Sequence, residues 1–219
     1  MDKEKYFIAR FGNSHIGDDA AVCGRWLYSK DAFFENVHFK KAWMSPYQIA
    51  QKAMLVNLSD AIAMNAKPKY AMIAVSLPKS MPNHELNALA QGFEQTAAAY
   101  GCEIIGGDTI GGSSLDITIS IISYSKAPLK RTGLHFGDLI AYTGELGKSA
   151  RGLQRLLKGG ALPASHRFIK PALRADFVYE AAPFLRSGMD ISDGLYSDLD
   201  KLLKANKKGF VWHKTVPKS

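Results

Sequence analysis

With 219 residues, two cysteines far apart (Cys23 and Cys102, in no CxxC pairing) and no long apolar run, the chain can bury a core unaided and offers neither a disulfide framework nor a zinc site. Export and membrane insertion are not expected, and a reducing, cytoplasmic compartment is the default. The net charge of +8 raises the question of nucleic acid, but the excess Lys and Arg are scattered with no RNP-like run, helix-turn-helix or zinc-finger spacing, so they are read as solvated surface and no nucleic-acid partner is expected.

The organisation is mixed α and β, without internal repeats. Ser45, Pro46, Tyr47 and Gln48 form a capping-box pattern with proline at the first helical position, which predicts a helix running to about Asn65, before Pro68. Tyr70 to Leu77 is a continuous apolar run suited to a buried strand. Asn83 opens a second helix in which Leu86, Leu89, Ala90, Phe93, Ala97 and Tyr100 recur at helical spacing, with Gly101 as its cap. A short strand, Glu103 to Ile105, ends in a glycine turn at GGDT. Leu115, Ile117, Ile119 and Ile121 then alternate with polar residues as a strand with one buried face.

Lys126 to Gly137 reads as a linker and sets the division into residues 1–128 and 129–219. Beyond it the sequence predicts a strand over 138–143, helices over 149–157, 174–181 and 194–205, and a strand over 210–213. The fold class expected is α+β: an N-terminal mixed or antiparallel sheet with helices on one face, followed by a second α/β domain.

Seven of the twenty acidic residues are aspartates in short Gly- or Ser-flanked clusters: Asp18 and Asp19 in GDDAAV, Asp31 in SKDAFF, Asp60 in NLSDAIAM, Asp108 in GGDT, and Asp190 and Asp193 in MDISDG. Each alone is an ordinary turn signal. Together they supply what a hard cation takes, because Mg²⁺ wants close oxygen ligands and retains water and bridging phosphates. Asp60 is the most telling, since it lies among Ala, Met, Leu and Ile late in a helix, where an unpaired carboxylate is costly. Asn57 and Ser59 stand near it as polar support. Gly147, Lys148 and Ser149 mimic the end of a P-loop, but the first glycine of that pattern would fall at Tyr142; what remains is a glycine turn at a helix start, able to take an anion but more often a plain connection.

GDDAAV, the Asp31 segment followed by NVHF, KAMLVNLSDAIAM, IIGGDT, Lys-Arg-Thr-Gly before Gly-Asp, TGELGKSARGL and MDISDGLYSDL occur in this order in thiamine-monophosphate kinases, which the chain resembles over nearly its whole length. These belong to the superfamily named for aminoimidazole-ribonucleotide synthase. The resemblance implies transfer of the γ-phosphoryl group of ATP to thiamine monophosphate, giving thiamine diphosphate, in a homodimer whose N-terminal domains pair their sheets. It further implies Mg²⁺ ligands at Asp19, Ser29, Asp31, Asp60, Asp108 and Asp190, a further Mg²⁺ at Asp193, ATP contacts at Gly106, Gly107, Arg131 and Ser192, and a substrate contact at His38. From the residues alone, His38 reads instead as a packed core histidine between Val37 and Phe39.

The chemistry is consistent with these residue types. The acceptor is a phosphate oxygen already ionised near neutral pH, so no general base is required and the obstacle is repulsion between two anions. Two departures from the family stand out: Lys30 replaces a hydroxyl residue beside Asp31, and Asn65 replaces a glycine. Family members also run on past the point where this chain ends, into a Gly-Glu-Asp segment that helps hold thiamine, so the second domain is C-terminally incomplete relative to the family. The alternative is a shortened Mg²⁺- and nucleotide-binding relative with no complete acceptor site.

Overall fold

The computed structural model describes residues 3–211. A short helix, α1 (Lys3–Ile8), precedes β1 (Ala21–Cys23) and β2 (Trp26–Phe34), which pair as a hairpin through Gly24, whose φ of 65° suits the tight turn. Then come α2 (Pro46–Ala63), β3 (Lys67–Pro78), α3 (Asn83–Ala99), β4 (Glu103–Gly112) and β5 (Asp116–Tyr124). The strands form one sheet in the order β1-β2-β5-β3-β4, antiparallel except for β3 and β4, which run parallel because α3 connects them. After an irregular stretch follow α4 (Lys148–Leu157), α5 (Ala175–Ala181) and α6 (Leu195–Asn206).

The expected start of α2 forms as read: Ser45 Oγ accepts the Gln48 amide (3.3 Å) and Gln48 Oε1 accepts the Ser45 amide (2.9 Å). At its far end Asn65 adopts a left-handed φ of 54°, a conformation asparagine tolerates, and donates to Ala127 O (3.0 Å). Gly101, with φ of 63°, follows α3 in the same way.

One sheet face is covered by α2 and α3. Leu27 and Phe33 of β2, Ile117, Ile119 and Ile121 of β5 and Ala71 of β3 meet Ile49, Ala53, Met54, Leu58 and Ala61 of α2, all buried. Among the described residues no helix covers the other face, and Trp26, Tyr28, Tyr70 and Met72 are exposed on it.

Several expectations are corrected. The run 70–77 is longer, 67–78, and is not continuously buried: Ala71 is buried, Tyr70 and Met72 are exposed, and residues 73–77 are half-buried. β4 runs through the GGDT segment rather than ending before it, since Gly106 and Gly107 pair with Met72 and Ile73 and keep the ladder going past a bulge. The strand expected over 138–143 does not form. Residues 210 and 211 are not in a strand, and the rest of that expected strand lies outside the described residues. The segment 126–137 is irregular but tethered: Leu129 is buried, its amide donates to Met64 O (3.0 Å), and Lys130 O accepts the Gly188 amide (3.0 Å).

Candidate functional site

The site forms where β2, the last turns of α2, the loop before β1 and the segments around Arg131 and Asp190 meet. Period-2 alternation puts Leu27, Ser29, Asp31 and Phe33 on the helix-facing side of β2, while Lys30 turns to the uncovered face and donates to Thr118 Oγ1 (3.2 Å) and Ser120 Oγ (3.3 Å). The Lys30 departure therefore leaves the Asp31 side of the strand unaltered. Asn57, fully buried on α2, accepts the Asp31 amide (2.9 Å) and donates to Ala53 O (2.9 Å), which ties β2 to the helix beside the carboxylate.

Asp19 organises the opposite side. Its side chain is 1% exposed; Oδ1 is ion-paired with Arg131, whose Nε lies 3.0 Å away, and Oδ2 accepts the Asp190 amide (3.1 Å). Asp18 accepts the Arg131 backbone amide (2.7 Å). Asn206 and Ser187 both donate to Arg131 O (2.7 and 2.8 Å), so α6 and the 187–190 segment fix the arginine from behind. Ser59 donates to Asp190 Oδ2 (2.7 Å), linking α2 to the same segment.

Four carboxylates, Asp19, Asp31, Asp60 and Asp190, thus act on one another's charge, with the Arg131 guanidinium opposing at Asp19 and Asp60. Burial, then the charges of Asp31, Asp190 and Asp19, pushes the Asp60 carboxyl up to about 9. Asp190 rises to about 6 through burial and Asp19, with the Ser59 hydrogen bond opposing. Asp19 and Asp31 are also raised, chiefly by burial, with Arg131 opposing at Asp19 and His38 at Asp31. Among the described residues the Asp60 side chain has no hydrogen bond or ion pair.

The remaining expected residues are distributed differently. Asp108 is exposed on β4, opposite Ala74, and accepts the Thr109 amide (2.9 Å); it does not enter the electrostatics of the other four. Asp193 is exposed and held by Lys201 (2.6 Å), which also binds Asp198 (3.0 Å). Ser192 is exposed beside it. Gly106 and Gly107 have φ of 156° and 152°, and a Cβ on Gly107 would lie 1.6 Å from Ile73 O, so no side chain fits there. His38 is not a core residue: it is exposed, its ring stacks on Phe33 (centroids 5.8 Å apart), and Nδ1 accepts the Phe34 amide (2.9 Å). With Nδ1 accepting, Nε2 is the ring nitrogen left to donate.

Sequence reasoning passed over three groups. Asp198 is buried in the first turn of α6, accepts the Asp193 amide (3.0 Å) and raises Asp190; its position five residues after Asp193 at a helix start was the available signal. Lys201 carried no signal beyond its i+3 spacing from Asp198. Lys52 is buried with Nζ 3.5 Å from the Phe168 ring centroid, and burial lowers it to about 8.

The donor set is compatible with a hard cation. All its members are oxygens, and Ser29 Oγ, on the Asp31 side of β2, is buried without a hydrogen-bond partner among the described residues. Among the described residues no three acidic, His or Cys groups converge closely enough to cage an ion by themselves. Mg²⁺ commonly completes its shell with water and phosphate oxygens.

Residues 17–125 match the family described as AIR synthase related protein, N-terminal domain. The chain is 31% identical over 197 residues to the thiamine-monophosphate kinase of Aquifex aeolicus, covering 85% of this chain and 64% of that protein. It is 36% identical over 208 residues to that of Buchnera aphidicola subsp. Schizaphis graminum, covering 89% and 64%. The structure of AaThiL complexed with AMPPCP and TMP superposes with a TM-score of 0.87 at 28% identity, covering 94% of this chain and 69% of that one. The chain spans 64% of the length of both curated relatives. A domain match reaching from the GDDAAV motif to the end of β5, together with this identity and superposition, means that the chain belongs to the AIR synthase related protein family, among its thiamine-monophosphate kinase relatives.

Proposed function

We propose that this chain catalyses ATP-dependent phosphorylation of thiamine monophosphate to thiamine diphosphate by direct, Mg²⁺-assisted in-line transfer. The observation that carries the reading is the Asp60 carboxyl, half-buried, unpartnered among the described residues and raised by the charges of Asp31, Asp190 and Asp19, an arrangement costly without a cation. A solved relative that holds both AMPPCP and TMP supports the choice of substrates.

In this reading Asp19, Ser29, Asp31, Asp60, Asp108 and Asp190 hold Mg²⁺, with Asp193 binding a further ion. When bound, the ions supply charge neutralisation and orientation of the phosphates. Arg131 offers its guanidinium to the triphosphate, while Gly106 and Gly107 let the ATP approach a backbone free of side chains. Ser192 contacts the nucleotide from the start of the α6 segment. His38 donates through Nε2 to the acceptor phosphate or the adjoining substrate. The acceptor arrives ionised, so no residue is assigned as a general base.

Two further readings accompany this one. The chain divides at residues 1–128 and 129–219, the first unit carrying the sheet. Two copies pair through the uncovered sheet face, where Trp26, Tyr28, Tyr70 and Met72 leave apolar surface in water; sedimentation that finds only monomer at micromolar concentration refutes the dimer. No helix among the described residues is long and apolar enough to cross a membrane, in keeping with a cytoplasmic enzyme.

The test is chromatographic detection of thiamine diphosphate from ATP, Mg²⁺ and thiamine monophosphate. Product formation supports the proposal; failure to bind ATP with Mg²⁺ refutes it. The alternative is an Mg²⁺- and nucleotide-binding relative with no complete acceptor site, and ATP binding with no product establishes that alternative.

A further inference from the structure

The Gly144–Ser149 turn lies outside the acidic site. Gly144 and Gly147 have φ of 84° and 89°, and the chain there is surrounded by basic groups from three separate segments. A Cβ at Gly144 would stand 3.4 Å from Arg174 Nη2 and 3.6 and 3.9 Å from Arg167 Nη1 and Nη2, so two guanidinium groups converge on one point of bare backbone. Arg167 is half-buried, which makes its proximity to a like charge more costly. Among the described residues neither side chain has a hydrogen bond or an ion pair.

The nearby carboxylate does not answer this charge. Glu145 is exposed and ion-paired with Lys148. Its carboxyl is held below the usual range by the Lys148 hydrogen bond and charge, then by Arg167 and Arg151. Three cations therefore act on one anion, which Lys148 already holds. Two unpaired guanidinium forks suit a tetrahedral dianion, because each presents parallel N–H donors matched to a pair of phosphate oxygens.

We propose that Arg167 and Arg174, with Arg151 at the side, form a metal-independent binding site for a phosphate group at the Gly144 turn. The site needs no divalent cation, which separates it from the acidic cluster, where a phosphate without metal meets several negative charges.

Isothermal titration of the whole chain in EDTA tests this, with inorganic phosphate and glycerol 3-phosphate as separate probes. One equivalent of either is expected to bind, more weakly as salt rises. Arg174→Gln, at an exposed position that does not threaten the fold, is expected to weaken binding about tenfold, and Arg167→Gln with Arg174→Gln to abolish it. Thermal melts verify that the double variant is folded. Binding of both probes assigns the site to the phosphate group itself, and binding of the ester alone assigns it to an organic phosphate; either supports the proposal. No binding of either probe, or binding undiminished in Arg174→Gln and in the folded double variant, overturns it. Because the titration contains no Mg²⁺ and no ATP, its outcome is independent of the kinase reading.

Discussion

Replacing Asp60 by asparagine is expected to make the metal-free protein more stable, increasingly so as pH rises. Burial and the charges of Asp31, Asp190 and Asp19 raise this carboxyl from 3.8 to about 9, opposed by Arg131. A carboxyl with a raised folded-state pKa holds its proton more tightly when folded. Its stabilising contribution is fully present below 3.8 and is lost as pH rises through about 9. At about 1.4 kcal/mol per pH unit, the cost at neutral pH has an upper bound of about 4 kcal/mol. Asp60 is half-buried, so solvent relaxation reduces this, and about 1–2 kcal/mol is expected back in Asp60→Asn. For a chain of this size that corresponds to about 2–8 °C in Tm. Calorimetry in EDTA at about pH 5 and about pH 8 reads it, and the gap between variant and wild type is expected to widen at the higher pH. Adding Mg²⁺ and ATP narrows or reverses the gap, because only the wild type keeps the carboxylate ligand. A variant no more stable than the wild type at the higher pH, or a gap that shrinks as pH rises, refutes the reasoning that Asp60 is a strained site for a cation.

Burial lowers Lys52 from 10.5 to about 8, so the unfolded chain binds the proton more tightly and stability is expected to rise between about pH 8 and about pH 10; Lys52→Met should abolish that rise in a melting series, and an unchanged rise assigns it to other groups. Gly107→Ala places a Cβ 1.6 Å from Ile73 O and is expected to cost more than about 2 kcal/mol, whereas Gly106→Ala, with nothing within 4 Å, should cost less; equal denaturation midpoints for the two contradict this. His38→Ala is expected to raise KM for thiamine monophosphate about tenfold while leaving the Kd for ATP close to wild type, and an equal loss of both would remove His38 from the acceptor side.

The helix around Asp60 was legible because its determinants are local: the Ser45–Gln48 capping box, Pro46 at the first turn and an aspartate with Asn57 and Ser59 close by in an apolar run. The β5 alternation was legible for the same reason, since a sheet with one covered face imposes period 2 on the residues themselves. β1 and β2 were not read, and 138–143 was over-read, because short strands form only where a partner edge exists: β2 finds one in β5, whereas residues 138–143 pair with none among the described residues.

The sequence by itself singled out the aspartates, through their spacing and the ordered motifs they sit in. Only the tertiary structure decided which of them meet. Asp19, Asp31, Asp60 and Asp190 come together because Asn57 ties β2 to α2, Ser59 ties α2 to the 190 segment, and Asp19 ties that segment and Arg131 to the loop before β1. Asp108 and Asp193, equally prominent as letters, stand elsewhere, one on an exposed edge strand and the other under Lys201. Proximity across more than a hundred residues is set by packing and hydrogen bonding between elements, and the charge coupling that raises Asp60 exists only once those elements have met.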